Sequence, residues 1–549
     1  MLSIFMPLSK AKIVSLFAYV FGAISVWGYR WVCDDAFVSF RYAKNLVNGY
    51  GLVYNVGEYV EGYTNFLWTL LIAAGLKLNL EPILFSEVMS LLFFTGTCYF
   101  LFCYYLHFNS KYPIGIFGFA LHHHVQIFST GGLETSLYTF LLVAGCFFCI
   151  SSEKNTGIIS GLALLLLAAL TRPDGILFLA FATVYFLWKK SRSYREWIYI
   201  LFPAFLYALF LVWRYVYYGS LVPNTFYAKS GYGSYWEQGF RYLKLYFLAY
   251  YQFFLIPVLL AYYLIRLKGQ VFYPQVKKTF FIILVPTIIY ILYYTGVGGD
   301  FMFARFFIPI TPFFYLLFEY FNNILFQKER IQWVFFTIIL LSTVLYYNPY
   351  KGLALPLIDG IAEENKIYKR ELVNQVKKRL ETWKDVFQKK QIRIAIGGSQ
   401  AIFAYYLDTY ALEAVTGLTD KHIASQHLFT RKRIGHEKLA SIDYMREKNV
   451  HLLMADLGLP GESEYNTFYY KNLPGKGRII IYDSKIMGSL QELGEFEFIP
   501  FEKYLDNYLQ NAKYIRKDVV QSDFLEFQKY YFDHNDDKNR KQAFLNLLK

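Results

Sequence analysis

Two adjacent carboxylates, Asp34 and Asp35, follow closely on an apolar run from Ile13 to Trp27. Beyond them come Arg41, Tyr42 and the stretch Val60-Glu61-Gly62-Tyr63-Thr64-Asn65-Phe66-Leu67-Trp68. Neighbouring carboxylates repel when both ionise, so keeping them together costs free energy unless a cation, a metal ion or a proton is shared. One of the pair is suited to take a proton from a hydroxyl or to contact substrate hydroxyls. A divalent cation at the pair fits the charge, although no metal-ligand spacing is present. The plainer reading of Asp34 or Asp35 is a cap on a helix that starts near Ala36.

Further polar groups punctuate the apolar sequence: Gly132-Leu133-Glu134-Thr135, Arg172-Pro173-Asp174-Gly175, Pro223-Asn224-Thr225-Phe226-Tyr227-Ala228-Lys229 and Gly299-Asp300-Phe301-Met302-Phe303-Ala304-Arg305. Polar side chains at a bilayer edge are costly unless paired or solvated, so such groups tend to mark sites. The set divides into carboxylates (Asp34, Asp35, Glu61, Glu134, Asp174, Asp300) and cations (Arg41, Arg172, Lys229, Arg305). A base beside cations is what transfer from a phosphate-bearing lipid requires. One carboxylate, Asp34 or Asp35, accepts the acceptor's hydroxyl proton, and Arg41, Lys229 and Arg305 stabilise the leaving phosphate. Tyr42, Glu61, Tyr63, Asn65, Glu134, Arg172, Asp174, Asn224, Tyr227 and Asp300 are read as substrate contacts. The competing reading is ion pairing between loops, with Arg172 and Asp174 the first candidates.

Two other clusters carry less. His122-His123-His124 resembles a metal tract, but consecutive helical residues point about 100° apart and cannot share one ion. The five cysteines lie in or beside apolar segments, which suggests packing rather than a disulfide or zinc framework.

The elements that must hold these residues are membrane helices. The chain of 549 residues is 56% hydrophobic and 17% charged, with span-length apolar runs concentrated before position 347. Candidate spans are 12–29, 84–106, 112–128, 132–150, 157–171, 173–188, 195–217, 240–265, 279–296, 303–326 and 331–346. The run Asn65 to Leu78, of about a dozen residues, is short for a span and suits a re-entrant or interfacial helix. That leaves about eleven crossings; counting it as a twelfth would separate the carboxylate loop from the last loops.

Basic clusters at Lys189 to Arg195, Arg266 to Lys278 and Gln327 to Arg330 mark cytoplasmic loops and put the N terminus inside. The same anchoring accounts for much of the +14 net charge, without nucleic acid. The first loop, 30–64, and the other polar motifs then reach the outer face. Residues 1–346 read as a membrane domain and 347–549, more charged and without a span-length run, as an extracytoplasmic α/β domain. The latter carries a helix from Ala362 to Gln388, strands at 392–396, 450–455, 478–482 and 496–500, and a turn at Gly397-Gly398-Ser399.

These motifs, together with Cys33 to Tyr42, Gly51-Leu52-Val53-Tyr54-Asn55, Thr416-Gly417-Leu418-Thr419-Asp420 and Arg433-Ile434-Gly435-His436-Glu437-Lys438, resemble the AftB-type arabinofuranosyltransferases of actinobacterial cell walls and their bacterial relatives. The resemblance implies the GT-C fold, a polyprenyl-phosphate sugar donor, and Asp34 and Asp35 in the catalytic acidic-pair positions. It implies an inner-membrane enzyme acting on an envelope glycan or lipid-linked acceptor at the outer face. The sugar, arabinofuranose or another pentose, is not carried over with the motifs. A non-catalytic envelope scaffold would have no need of the acidic pair, and a transporter of lipid-linked sugars would call for internal repeats and mid-membrane charges, which the sequence lacks.

Overall fold

The computed structural model describes residues 10–189, 193–229, 233–266, 278–398, 400–427 and 437–549. Lys190, Ser191 and Arg192 of one basic cluster, most of the 266–278 loop, Ser399 and the Arg433–His436 stretch lie outside them. The chain divides into two compact units. The first comprises Met1–Asn48, Tyr63–Pro223 and Gly231–Arg370; the second comprises Gly49–Gly62, Asn224–Ser230 and Glu371–Lys549. The change of composition near residue 347 therefore precedes the division between units, which follows Arg370.

The first unit is helical. Among the described residues, Pro82–His107, Tyr194–Tyr218 and Phe280–Val297 are long and apolar enough to cross a membrane, making three, or four if a bent pair counts as one span. Shorter apolar helices include Thr135–Ser151, Asn155–Thr171 and Gly175–Trp188. Outward-facing Trp197, Phe202, Phe205, Leu209 and Val216 on Tyr194–Tyr218 are the apolar surface expected of a helix solvated by lipid.

Three expected spans are interrupted. The 240–265 segment forms Trp236–Ala249, a short turn at Tyr251–Phe254 and Leu255–Arg266, with a bend of 105° between its halves. Pro257 lacks an N–H and its ring crowds the carbonyl four residues back, so it sits most easily in the first turn of a new helix, where it is found. The 112–128 segment breaks at His122, which is extended at φ −71°, ψ 115°, and its Nδ1 accepts the Val125 N–H at 3.2 Å. The 303–326 segment opens with a tight turn over Arg305–Ile310 containing Pro309, and its α-helix starts at Thr311 with Pro312 in the first turn. The Asn65 to Leu78 run forms a 12-residue helix, Phe66–Lys77.

The second unit is built on a six-stranded mixed sheet. Its strands follow a hairpin of the first unit, β1 (Leu357–Ile358) and β2 (Ile361–Ala362): β3 (Ile394–Ile396), β4 (Ala411–Glu413), β5 (Leu452–Leu453), β6 (Thr467–Tyr470), β7 (Lys476–Ile479) and β8 (Phe496–Phe498). Their order is β4-β3-β5-β7-β6-β8, parallel on either side of β3 and antiparallel from β5 onward. Ala395, Leu412, Met445, Val450, Leu453 and Ile480 form part of the core under the sheet. The expected helix from Ala362 begins at Arg370 instead, because Ile361 and Ala362 are drawn into β2.

Candidate active site

The helix Asp34–Val47 begins immediately after Cys33, whose N–H donates to the Gly131 carbonyl at 2.9 Å. Gly132 is required there. Its φ is +77° and an added Cβ would stand 2.8 Å from that of Ala36. Asp34 and Asp35 occupy the first helical turn, where the exposed N–H groups favour negative charge. The capping position itself belongs to Cys33.

Asp35 is held by Arg305, although the two are 270 residues apart. Arg305 grips Asp300 through Nε to Oδ2 at 2.5 Å and Nη2 to Oδ1 at 2.9 Å, and reaches Asp35 Oδ2 with Nη1 at 3.4 Å. The Asp35 side chain is 32% exposed whereas those of Arg305 and Asp300 are buried, at 10% and 1%. Ala304, just ahead of Arg305, sits in the left-handed region at φ +66°. This is a conformation that costs an L-residue about 1 kcal/mol. It is enforced by a second backbone: Phe303 N–H donates to Ala362 O at 2.8 Å and Ala362 N–H to Phe301 O at 2.7 Å. That pairing also introduces Glu364, a buried carboxylate absent from the sequence expectations. The Cys33 thiol is pushed up by burial and then by the charges of Asp35 and Glu364.

A second network fixes the same helix one turn further on. Arg172 donates from Nη1 to Glu134 Oε1 at 2.6 Å, from Nε to Asp174 Oδ1 at 3.2 Å and from Nη2 to the Tyr294 hydroxyl at 2.9 Å. Glu134 Oε2 accepts from Asn65 Nδ2 at 2.9 Å. Asn65 Oδ1 in turn accepts from Ser39 Oγ and Thr69 Oγ1, each at 3.1 Å. Glu134 lies in the turn ahead of Thr135–Ser151 and outside it. Burial alone would raise its carboxyl, but Arg172 and the Asn65 amide hold it below the usual carboxylate range. The Phe306 ring stands between the networks, 5.1 Å from the Arg172 guanidinium and 5.0 Å from that of Arg305.

These bonds distinguish the roles read from sequence. Arg172 and Asp174 form an ion pair, and each of the three Arg172 guanidinium nitrogens bonds a protein group. Arg305 is committed to two carboxylates. Tyr42 packs on Tyr63 at 4.7 Å between ring centroids, and the Tyr63 hydroxyl bonds that of Tyr218 at 3.1 Å. Arg41 lies two turns beyond Asp34 on the same helix and is buried. Ser39, Tyr294, Phe306 and Glu364 were not singled out by sequence. Ser39 falls inside the acidic-pair motif and Phe306 beside Arg305, so position marked those two, and nothing marked the others.

Glu61, Asn224, Tyr227 and Lys229 belong to the second unit. Asn224 N–H donates to Glu61 O at 2.9 Å, while its side-chain amide donates to the carbonyls of Gly417 and Leu418, both at 2.8 Å. The Tyr227 carbonyl accepts from Lys438 Nζ at 2.7 Å. The Thr416-Gly417-Leu418 turn wraps buried Glu413, which accepts the Leu418 N–H at 2.9 Å and bonds the Thr416 hydroxyl.

The triple histidine is absorbed by aromatic packing. His122 stacks on Tyr250 at 3.8 Å, and His124 Nδ1 meets the Tyr250 hydroxyl at 2.6 Å. Among the described residues no group of three or more His, Cys, Asp or Glu side chains is arranged to hold a metal ion. At Asp35, the Arg305 guanidinium supplies a compensating positive charge.

No family model matches the chain. Two curated relatives, both named terminal beta-(1->2)-arabinofuranosyltransferase, bear out the resemblance read from the motifs. The protein from Corynebacterium glutamicum is 26% identical over 351 residues, covering 56% of this chain and 50% of its own. That from Mycobacterium tuberculosis is 30% identical over 253 residues, covering 42% and 40%. The matches thus span half or less of the curated relatives' length. ArnT from Cupriavidus metallidurans, solved with undecaprenyl phosphate, superposes with a TM-score of 0.43 at 13% identity, over 76% of this chain and 77% of that one.

Proposed function

We propose that this protein is a GT-C glycosyltransferase of the bacterial inner membrane, with its N terminus cytoplasmic and its C-terminal domain outside. It moves a sugar, arabinofuranose or another pentose, from a polyprenyl-phosphate donor to an envelope glycan or lipid-linked acceptor at the outer face. The observation that carries this reading is the clamped, partly exposed carboxylate. Asp35 is fixed by Arg305, which is itself fixed by Asp300, within the motif by which the chain resembles the AftB-type family, and two of its relatives are named terminal beta-(1->2)-arabinofuranosyltransferase.

In the reaction the acceptor oxygen forms a bond to the anomeric carbon as the bond from that carbon to the phosphate oxygen breaks. The electron pair leaves with the phosphate, and the acceptor's proton passes to a carboxylate of the pair. A base held in place needs no reorganisation at that moment. Arg305, which bonds two carboxylates, orients Asp35, and stabilising the leaving phosphate calls for cationic side chains, the role read from the sequence for Arg41, Lys229 and Arg305. Arg172, Glu134 and Asn65 act by positioning the Asp34–Val47 helix.

Asp34→Asn and Asp35→Asn, made separately, test the reading. Membranes are supplied with radiolabelled polyprenyl-phosphate sugars, and envelope glycans are compared in cells. Loss of transfer by about 10²-fold or more is expected in at least one variant. Unchanged transfer and unchanged glycans in both, at normal expression, would overturn the assignment.

A further inference from the structure

The outward face of the second unit's sheet carries a groove of about 570 Å³ whose floor is the end of β6 and β8. Cross-strand pairing sets its composition. Tyr469 lies opposite Glu497 on β8 and opposite Lys476 on β7, and directly opposed residues project to one face of a sheet. Phe468, Tyr470 and Phe496 alternate to the other face and are buried. Tyr469 is 54% exposed, while the aromatics around it are packed ring against ring.

The groove's wall is a built loop rather than a loose one. Arg478, itself 8% exposed, donates from Nη1 to the carbonyls of Leu459 at 3.2 Å and Pro460 at 2.8 Å, and from Nη2 to that of Gly461. Lys476 pairs with Glu462 and lies 3.4 Å from Asp456. Ser463 and Asn466 then close a reciprocal capping box that leads into β6. Glu462 is thereby neutralised, but Glu464 and Glu497 line the groove with no ion pair among the described residues.

We propose that this groove is a binding site for a neutral oligosaccharide. The C–H face of a sugar ring stacks on Tyr469, and adjacent ring hydroxyls donate to the Glu464 and Glu497 carboxylates. Aromatic platform and acceptors suit one ligand class together. A phosphate or other anion is repelled by the two carboxylates, a purely apolar ligand leaves them desolvated, and a polyol satisfies both surfaces. The volume falls in the range of small-molecule sites, of roughly 300–1,000 Å³, and suits one or two sugar rings of a longer chain. The choice of probes rests on the glycan-transfer reading, but the groove belongs to the second unit and Asp34 and Asp35 to the first.

The test uses the full chain in lipid nanodiscs, titrated with arabinohexaose, maltohexaose and, as a cationic competitor, pentalysine. Saturable binding of at least one hexasaccharide is expected. Tyr469→Ala should weaken it about tenfold or more, as truncation of a central aromatic contact does, and Tyr469→Phe should restore it because the ring persists. Glu497→Gln should weaken it by a smaller factor. Transfer from polyprenyl-phosphate sugar to a short soluble acceptor should be unchanged by Tyr469→Ala. Absence of hexasaccharide binding, binding indifferent to Tyr469→Ala, or binding of pentalysine in place of the glycans would overturn the inference. A wild-type chain that transfers no sugar yet binds a hexasaccharide through Tyr469 would sink the transfer reading and leave the groove standing.

Discussion

Glu134→Gln tests whether the Arg172 network positions the acidic-pair helix. In the native chain one carboxylate oxygen takes the Arg172 Nη1 proton at 2.6 Å and the other takes the Asn65 amide proton at 2.9 Å. Glutamine has a single acceptor oxygen, so one donor must face the new NH₂ group. Removing one partner of a buried ion pair costs about 3–5 kcal/mol. Arg172 keeps Asp174 and the Tyr294 hydroxyl, so the lower part of the range for lost charged hydrogen bonds applies, about 2 kcal/mol.

The consequence for activity is larger than for stability. Asn65 released from Glu134 no longer fixes Ser39, which lies one turn beyond Asp35, and a misplacement of about 1 Å can lower a rate by about 10²-fold. The double variant Asn65→Asp/Glu134→Gln separates geometry from charge. The aspartate introduced at position 65 would accept from Ser39, from Thr69 and from the amide of the glutamine introduced at position 134. The oxygen of that glutamine would accept from Arg172, so every hydrogen bond returns with the charge passed from one partner to the other. Thermal unfolding in detergent and transfer from a labelled polyprenyl-phosphate sugar should both fall in Glu134→Gln and recover substantially in the double variant. A double variant no better than the single one would refute the relay, as would a single variant indistinguishable from wild type in both assays.

Two further outcomes follow from particular bonds. Arg305→Lys should lose transfer by about tenfold or more while the chain still folds, because a single ammonium cannot reproduce the two-oxygen grip on Asp300 and reach Asp35 as well; wild-type transfer by this variant would remove Arg305 from the site. His451 accepts the Arg393 N–H on Nδ1 at 3.0 Å, and burial lowers its pKa to about 4. A base with a depressed folded pKa loses native stability as pH falls through the unfolded value, about 6.5, toward the folded one. Sheet amides of the second unit, followed by hydrogen exchange, should therefore lose protection between about pH 6.5 and 4, by on the order of 3 kcal/mol at the lower end. His451→Asn, which keeps an acceptor but cannot titrate, should flatten that dependence, and an unaltered profile would exclude His451 as its source.

What the sequence made legible was chemistry placed locally. Asp34 and Asp35 announce a strained charge pair, and Arg172 with Asp174 announces its own ion pair across two residues. The partners that decide each role are distant: Arg305 for Asp35 across 270 residues and Asn65 for Glu134 across 69. No spacing rule connects them, because they meet only through the packing of several helices.

The interrupted spans are a different case, since their cause was written locally. Pro257 removes the N–H that would bond the Phe253 carbonyl and so favours the break there, and Pro309 with Pro312 delays the helix after Arg305. An apolar count over 240–265 or 303–326 averages over these residues and so hides the breaks, although the breaks are what place functional groups. The turn at 305–310 precedes the helix because Pro309 and Pro312 supply no N–H for the carbonyls of Arg305 and Ile308. With Ala304 at positive φ just ahead of that turn, the guanidinium faces Asp300 and Asp35 together. A residue's capacity for chemistry was thus readable from its type, whereas its direction depended on where the hydrophobic pattern fails.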